Sequence, residues 1–88
     1  MASYSVTLKP SVEKDLRALP KLALVRVMQR IGELRDDPVP RQSVKLTGAE
    51  RLYRIRVGDY RIIYAVEADA HQVVIHYVRH RREAYRDL

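Results

Sequence analysis

The sequence predicts an α+β fold: an N-terminal strand, a two-helix hairpin, and a three-strand antiparallel meander that completes a four-stranded sheet, followed by a short C-terminal helix. Three observations lead to this prediction. Apolar and polar residues alternate over residues 3–8, 51–67 and 72–79, which is the two-residue period of strands. Apolar residues recur at helical spacing over residues 21–36. The pair Gly58-Asp59 separates two alternating runs, which is typical of a β-hairpin.

The first two elements lie before Pro20. In residues 3–8, apolar side chains alternate with serine and threonine, so this segment is predicted to be a strand. A short helix over residues 11–18 follows, with Ser11 as its N-cap, because a serine side chain can accept a hydrogen bond from the first turn. Pro20 ends this helix and suits the first turn of the next one.

The second helix is predicted over residues 21–36, and it ends before Pro38. Its apolar residues at helical spacing are Leu24, Val27, Met28, Ile31 and Leu34. Residues 38–50 form an irregular connector with two prolines, in which the residues around Lys45 have the pattern of a short extended piece.

A two-residue turn at Gly58-Asp59 fixes the register of the next two strands. It places Arg56 opposite Arg61 and Tyr53 opposite Tyr64. One face is then apolar, and the other carries Arg54, Arg56 and Arg61. Like charges directly across a strand pair are destabilising, so this face is suited to an anion. The alternative is a solvated face with no special function.

The last strand covers residues 72–79, after a turn at residues 68–71. A symmetric turn predicts that the strand pairs Glu67 with Gln72, Ile63 with His76, Val78 with Arg61 and Arg79 with Tyr60. In this register the residues that point to the core are Val73, Ile75 and Tyr77. Val74 and His76 share the face of the three arginines, and a slip of one residue in the turn would exchange the two faces.

The C-terminal segment, residues 80–88, is predicted to form one or two helical turns. Antiparallel pairing brings the basic run at residues 79–82, together with Tyr85, to the Arg61 end of the sheet. Guanidinium groups bind phosphate and stabilise charge that develops on it, but they cannot serve as a general base. The neighbouring cations favour a neutral His80, which can accept a proton. Tyr85 is suited to stacking on a base or moving a proton, or alternatively to packing on the sheet.

Composition narrows the class of protein. The 88 residues fit one domain, and the net charge is +6 from 17 basic and 11 acidic residues. A pI near 10.0 is typical of nucleic-acid binders, although an acidic protein or an anionic membrane would also be attracted.

The absence of cysteine excludes disulfides and cysteine-based metal sites, and it suits a reducing cytoplasm. No run of apolar residues approaches the length of about 20 residues that a membrane-spanning helix needs. Without a glycine-rich phosphate loop or a zinc-type histidine pair, we expect no cofactor and no metal.

Two segments, LYRIRVGDYRIIYAVE and VVIHYVRHRREAYR, resemble the RelE/ParE superfamily of toxins from type II toxin–antitoxin systems. The order of the predicted elements is also similar over essentially the whole chain. The resemblance therefore implies a single RelE-like toxin domain over residues 1–88. Members of the RelE branch are ribosome-dependent endoribonucleases that cut mRNA in the A site, where the 2′-hydroxyl attacks the adjacent phosphate.

The resemblance also implies roles for individual residues. The catalytic positions of the family match Arg54, Arg56, Arg61, Arg81 and Tyr85. Further residues expected to bind RNA are Arg79, His80, Arg82 and Lys45. Arg79 is an alternative to Arg81 as the catalytic arginine, and either Tyr85 or His80 could be the base. Family members with lysine in the first strand of the hairpin differ from this chain, which has Arg54 and Arg56 there.

The expected partners are a RelB-like antitoxin, the ribosome and its mRNA, with operator DNA bound only through the antitoxin complex and no membrane. Two other functions are consistent with the same superfamily. One is a ParE-like toxin that poisons DNA gyrase, and the other is a non-catalytic basic module that binds its antitoxin and operator DNA. The basic sheet face favours the nuclease, because the ParE-like branch largely lacks it.

Overall fold

The computed structural model describes residues 3–48, 51–80 and 82. The elements in chain order are β1 (Ser5–Leu8), α1 (Pro10–Arg17), α2 (Lys21–Glu33), β2 (Val44–Lys45), β3 (Leu52–Val57), β4 (Tyr60–Glu67) and β5 (Gln72–His80). The α+β class and the order of these elements are confirmed, while the predicted C-terminal helix falls almost entirely outside the described residues. Within the described ranges, no helix has the length and apolar character needed to cross a membrane.

The sheet has five strands in the order β1-β5-β4-β3-β2, so the predicted count of four strands is wrong. The additional strand, β2, is only two residues long and pairs antiparallel with β3 at the sheet edge. It comes from the part of the connector around Lys45 where a short extended piece was expected. The N-terminal strand β1 pairs parallel with β5, which places the first and last described strands side by side.

Both helices begin at a proline-containing junction. Helix α1 starts at Pro10, and its N-cap is Lys9, with φ −64° and ψ 150° and no side-chain capping bond. The prediction that Ser11 is the N-cap is therefore wrong, because proline occupies the first helical position, where its missing N–H is not needed. Helix α2 has Pro20 as its N-cap and ends at Glu33, earlier than the predicted residue 36. Residues 34–36 form a turn instead.

One face of the sheet packs against the two helices and forms the core. Its fully buried sheet residues include Ile55, Ile62, Tyr64, Val73 and Ile75, each 0% exposed. They pack with buried residues of the helices, namely Val12, Val27, Ile31 and Leu34. Because successive strand residues point to opposite faces, the residues between them lie on the face away from the helices.

The β3–β4 hairpin has the predicted register. Arg56 lies opposite Arg61, and Tyr53 lies opposite Tyr64. At the turn, Gly58 has φ 59°, whereas Asp59 is not among the residues with positive φ. This combination is typical of a type II′ turn, which matches the twist of the strands it connects and requires glycine at its first central position. The turn therefore explains why this part of the register could be predicted locally.

The β4–β5 pairing begins as predicted, with Glu67 opposite Gln72, and then shifts by one residue between Ile63 and Tyr64. Beyond this β-bulge, Ile63 lies opposite Tyr77 rather than His76. Arg61 therefore lies opposite Arg79 rather than Val78, and Tyr60 lies opposite His80 rather than Arg79. A bulge inserts one extra residue into a strand and reverses the faces of the residues that follow it. The predicted core position of Tyr77 is consequently wrong, and Val78, which is 2% exposed, lies in the core instead.

Candidate functional site

The bulge brings arginines from three adjacent strands into one cross-strand row. Arg56 of β3 lies opposite Arg61 of β4, which lies opposite Arg79 of β5. Arg54 lies on the same face, two residues before Arg56. We call this surface the arginine face and define it as Arg54, Arg56, Arg61 and Arg79. The predicted convergence of Arg54, Arg56 and Arg61 on one side of the sheet is confirmed.

The arginine face concentrates positive charge at short range. Residues directly opposite in a sheet have Cβ atoms about 4.5–5.5 Å apart, and like charges at such positions repel each other. An anion placed among the guanidinium groups would relieve this repulsion. Planar guanidinium groups can each donate two parallel hydrogen bonds to a phosphate, so a phosphodiester fits the charge and the donor geometry of this surface.

Two of these arginines, Arg56 and Arg61, lie in the β3–β4 hairpin. Arg56 donates from Nε to the carbonyl oxygen of Gly58 at 2.9 Å, so its side chain folds back toward the turn. The side chain of Arg61 is partly withdrawn from water, because its Nε and Nη1 atoms are buried. Arg61 lies in the middle strand of the row, where its neighbours on both sides are arginines. The centre of the arginine face is therefore partly shielded from water, whereas Arg56 is exposed.

Arg79 is held by contacts that sequence analysis did not predict. Its Nε lies 3.6 Å from Oδ1 of Asp15 on α1. Its guanidinium carbon lies 5.0 Å from the centre of the Tyr77 ring, which is a cation–π arrangement. Tyr77 and Arg79 are two residues apart and share one side of β5, and the change of face at the bulge places that side on the arginine face. Without the bulge, Arg79 would point into the core. The high cost of burying its charge was therefore the signal from which the bulge could have been predicted.

His80 lies on the other side of the strand from Arg79. It is opposite Tyr60, and the two rings meet edge to face with centroids 5.5 Å apart. Both residues line a cavity of about 340 Å³ beside α1, together with Asp15 and Arg79. The backbone N–H of Arg82 donates to Nδ1 of His80 at 3.3 Å. The structure thus places His80 next to the arginine face but directs it toward α1.

The remaining predicted site residues are not gathered on the arginine face. Lys45 is exposed on the edge strand β2 and pairs with Tyr53, so it shares the side of the sheet that packs against the helices. Arg82 is exposed. Arg81 and Tyr85 lie outside the described residues, and their assignments stay predictions. Within the described ranges, no three His, Asp or Glu side chains come together as a metal-binding group.

His76, the residue at the bulge, is half-buried. Burial lowers the pKa of His76, and the charge of Lys9 lowers it further. Both effects disfavour the imidazolium form, so His76 is neutral at neutral pH. It therefore adds no charge to the positive potential of the sheet.

Comparison with known proteins identifies the family. The family model for the ParE toxin of type II toxin–antitoxin systems matches residues 6–85. The chain belongs to the RelE/ParE superfamily of toxins. It is 30% identical to a putative RelE1 toxin of Methanocaldococcus jannaschii over 87 residues, which cover 96% of this chain and 97% of that protein. Its membership and its similarity to RelE proteins make it a toxin of the RelBE type.

Solved structures of RelE toxins share its fold. The RelE–RelB complex of Pyrococcus horikoshii contains a chain that matches with a TM-score of 0.78 and 34% identity, covering 90% of this chain and 96% of that one. A double-mutant RelE of Escherichia coli matches with a TM-score of 0.80 over 94% of this chain and 88% of that one. The identity to the E. coli protein is 20%, so this second match supports the RelE fold alone.

Proposed function

We propose that this RelE/ParE-superfamily toxin is a ribosome-dependent endoribonuclease that cleaves mRNA in the A site. The observation that carries the proposal is the row of Arg56, Arg61 and Arg79 across three adjacent strands, with Arg54 beside it. Such a row offers several guanidinium groups to one phosphodiester. The identity to RelE proteins at 30% or above, over most of the chain, supports the same branch.

In the proposed reaction, the 2′-hydroxyl oxygen of a nucleotide forms a bond to the adjacent phosphorus, and the bond to the 5′-oxygen of the next nucleotide breaks. The products are a 2′,3′-cyclic phosphate and a 5′-hydroxyl end. Negative charge increases on the phosphoryl oxygens in the transition state, and preorganised guanidinium groups stabilise it. Arg54, Arg56, Arg61 and Arg79 would have this role. Arg81 remains an alternative to Arg79 as the fourth arginine.

Proton transfer needs other groups, because arginine does not lose its proton in proteins. The 2′-hydroxyl proton must be accepted and the leaving 5′-oxygen must be protonated. Tyr85 and His80 are the proposed groups for these steps. Of the two, His80 is adjacent to Arg79 in the chain but points toward α1, so it would have to reach the RNA around the end of β5.

We also propose a RelB-like antitoxin as the protein partner, with the ribosome and mRNA as targets. RelE proteins of Mycobacterium tuberculosis, P. horikoshii and M. jannaschii have been solved in toxin–antitoxin complexes. A net charge of +6 favours an acidic partner. Contact with operator DNA would occur only through the antitoxin complex.

The test is cleavage of mRNA on programmed ribosomes by the purified toxin, with Arg61→Ala as the site variant and Arg41→Ala as the control. Both changes remove one positive charge, but Arg41 is an exposed residue of the connector before β2 and is not one of the four residues of the arginine face. We expect Arg61→Ala to lower the cleavage rate about 100-fold or more, because removal of one transition-state donor typically has this effect. Arg41→Ala should cleave at the parent rate. Equal rates for all three proteins would refute the site assignment.

A gyrase-poisoning function is the second candidate, because the matching family model is named for ParE. A supercoiling assay with the same protein distinguishes the two. Inhibition of gyrase with intact ribosome-bound mRNA would replace the nuclease proposal. A protein inactive in both assays that still binds its antitoxin would instead be a non-catalytic module.

A further inference from the structure

Asp15 contacts two consecutive residues at the end of β5. Its Oδ2 accepts a hydrogen bond from the backbone N–H of Val78 at 3.1 Å. Its Oδ1 lies 3.6 Å from Nε of Arg79. The Asp15 side chain is 15% exposed, so both contacts are made largely away from water. One carboxylate on α1 therefore fixes the backbone next to Arg79 and also contacts its guanidinium group.

The topology explains why this carboxylate is available at the edge of β5. Strand β1 pairs with β5 only as far as Leu8 and Ile75. After Leu8, the chain turns at Lys9 into α1. This helix packs against β5 and brings Asp15 to the edge of that strand beyond Ile75. The N–H of Val78 thus bonds to a side chain where a neighbouring strand would otherwise supply a carbonyl group. Because Asp15 is hydrogen-bonded to the backbone of β5, its carboxylate is held in place beside Arg79.

Arg79 is consequently contacted from two directions. The Asp15 carboxylate lies on the α1 side, and the Tyr77 ring lies 5.0 Å from the guanidinium carbon. A guanidinium group has five N–H donors, so the contact at Nε does not exhaust its capacity to donate to an anion. Long arginine side chains lose considerable rotamer entropy when they bind a ligand, and prior orientation reduces that loss.

We propose that Asp15 is a positioning residue that orients Arg79 toward the phosphate on the arginine face. This inference rests on the proposed function, because it assigns Arg79 a phosphate-binding role there. Asp15 does not touch RNA and transfers no proton. Its effect is exerted through Arg79, whose guanidinium group it holds in the cross-strand row with Arg61 and Arg56.

The test is a double-mutant cycle between Asp15→Asn and Arg79→Ala. Asparagine retains an oxygen that can accept the Val78 N–H, but it loses the charge that attracts Arg79. The control is Glu13→Gln, which removes the same charge from the same helix, where the carboxylate lies 3.9 Å from exposed Arg17. Two quantities are measured: affinity for a short single-stranded RNA with a 2′-deoxy nucleotide at the cleavage position, and cleavage of ribosome-bound mRNA.

We expect Asp15→Asn to weaken RNA binding severalfold and to slow cleavage about 10- to 100-fold, as is typical when an outer group that orients a functional residue is lost. In the Arg79→Ala background, Asp15→Asn should have little further effect, because the two residues act as one unit. Glu13→Gln should match the parent in both assays. The fraction of folded protein is measured by circular dichroism for each variant, and both quantities are normalised to it.

Two outcomes would overturn the inference. Equal losses from Asp15→Asn in the parent and Arg79→Ala backgrounds would mean that Asp15 supports the fold generally. Parental or higher RNA affinity and cleavage for Asp15→Asn would mean that it does not position Arg79 productively. The RNA-binding cycle decides this without turnover. Failure of the parent protein to cleave ribosome-bound mRNA would therefore refute the proposed function separately.

Discussion

Tyr64 is a single residue that contributes to the fold both by its burial and by a hydrogen bond. It is 0% exposed, and its hydroxyl donates to the carbonyl oxygen of Pro38 at 2.8 Å, which ties the connector to the core. Burial raises the pKa of Tyr64 from 10.0 to about 12, while a hydrogen bond with Ser43 partly opposes this effect. The phenol therefore stabilises the protein only while it keeps its proton.

The pH dependence of stability tests this role. A folded-state pKa above the unfolded value contributes stability that is fully present below pH 10 and is lost as the pH rises toward 12. Between pH 9 and pH 11, we expect the parent to lose about 1.3 kcal/mol of unfolding free energy through this group. Tyr64→Phe should lack this component, although loss of the hydrogen bond lowers its stability at neutral pH by about 1 kcal/mol.

The measurement is urea unfolding of both proteins at pH 9 and pH 11. Other groups titrate over the same range in both proteins, so the informative quantity is the difference between their slopes. Parallel stability curves for the parent and Tyr64→Phe would show that the phenol is not responsible.

At the scale of elements, a turn and a bulge determine where the arginines lie. The turn at Gly58-Asp59 sets Arg56 opposite Arg61, and its Gly58 carbonyl also accepts the Nε hydrogen bond of Arg56. The β5 bulge then sets Arg79 opposite Arg61 and moves Val78 into the core. The arginine face therefore depends on two local irregularities in otherwise regular strands.

Substitution of Gly58 separates backbone strain from steric contact. A Cβ atom added to Gly58 would meet no atom within 4 Å, and the same is true of Gly32 in α2. Only Gly58 of the two has a positive φ, 59°, a conformation that costs other residues on the order of 1–3 kcal/mol. Gly58→Ala should destabilise the protein by that amount, whereas Gly32→Ala should stabilise it by up to about 1 kcal/mol.

Chemical denaturation of the two variants checks this contrast. Similar shifts of the unfolding midpoint in the same direction would show that the turn does not require glycine. Arg56→Ala serves as a reference, because it removes the hydrogen bond to the Gly58 carbonyl without changing the turn residues.

At the scale of the whole molecule, an uneven distribution of charge distinguishes the two faces of the sheet. The chain has 17 basic and 11 acidic residues, and four of the arginines share the arginine face. Asp15 contacts Arg79 of this face, whereas Glu33 and Glu67 pair with arginines outside it. Glu33 pairs with Arg30 at 3.1 Å, and Glu67 pairs with Arg51 at 2.6 Å. Positive potential is therefore concentrated where RNA is proposed to bind.

The salt dependence of RNA affinity measures this concentration of positive charge directly. Binding of single-stranded RNA releases counterions, and the logarithm of the affinity falls with the logarithm of salt concentration by about 0.7 per phosphate neutralised. Arg56→Ala should reduce the magnitude of that slope by about 0.7, because Arg56 is an exposed member of the arginine face. Arg41→Ala should leave the slope unchanged, and identical reductions for both variants would indicate non-specific attraction by net charge.

The amino-acid sequence by itself determined the helices and longer strands, the hairpin register, and the shared side of Arg54, Arg56 and Arg61. These features depend on residue periodicity and on one glycine turn, which act over a few neighbouring residues. Only the tertiary structure decided the parallel pairing of β1 with β5, the bulge beside His76, and the contact between Asp15 and Arg79. Pairing between residues distant in the chain depends on how the sheet and helices pack together, and a one-residue shift there decides which side chains face the core.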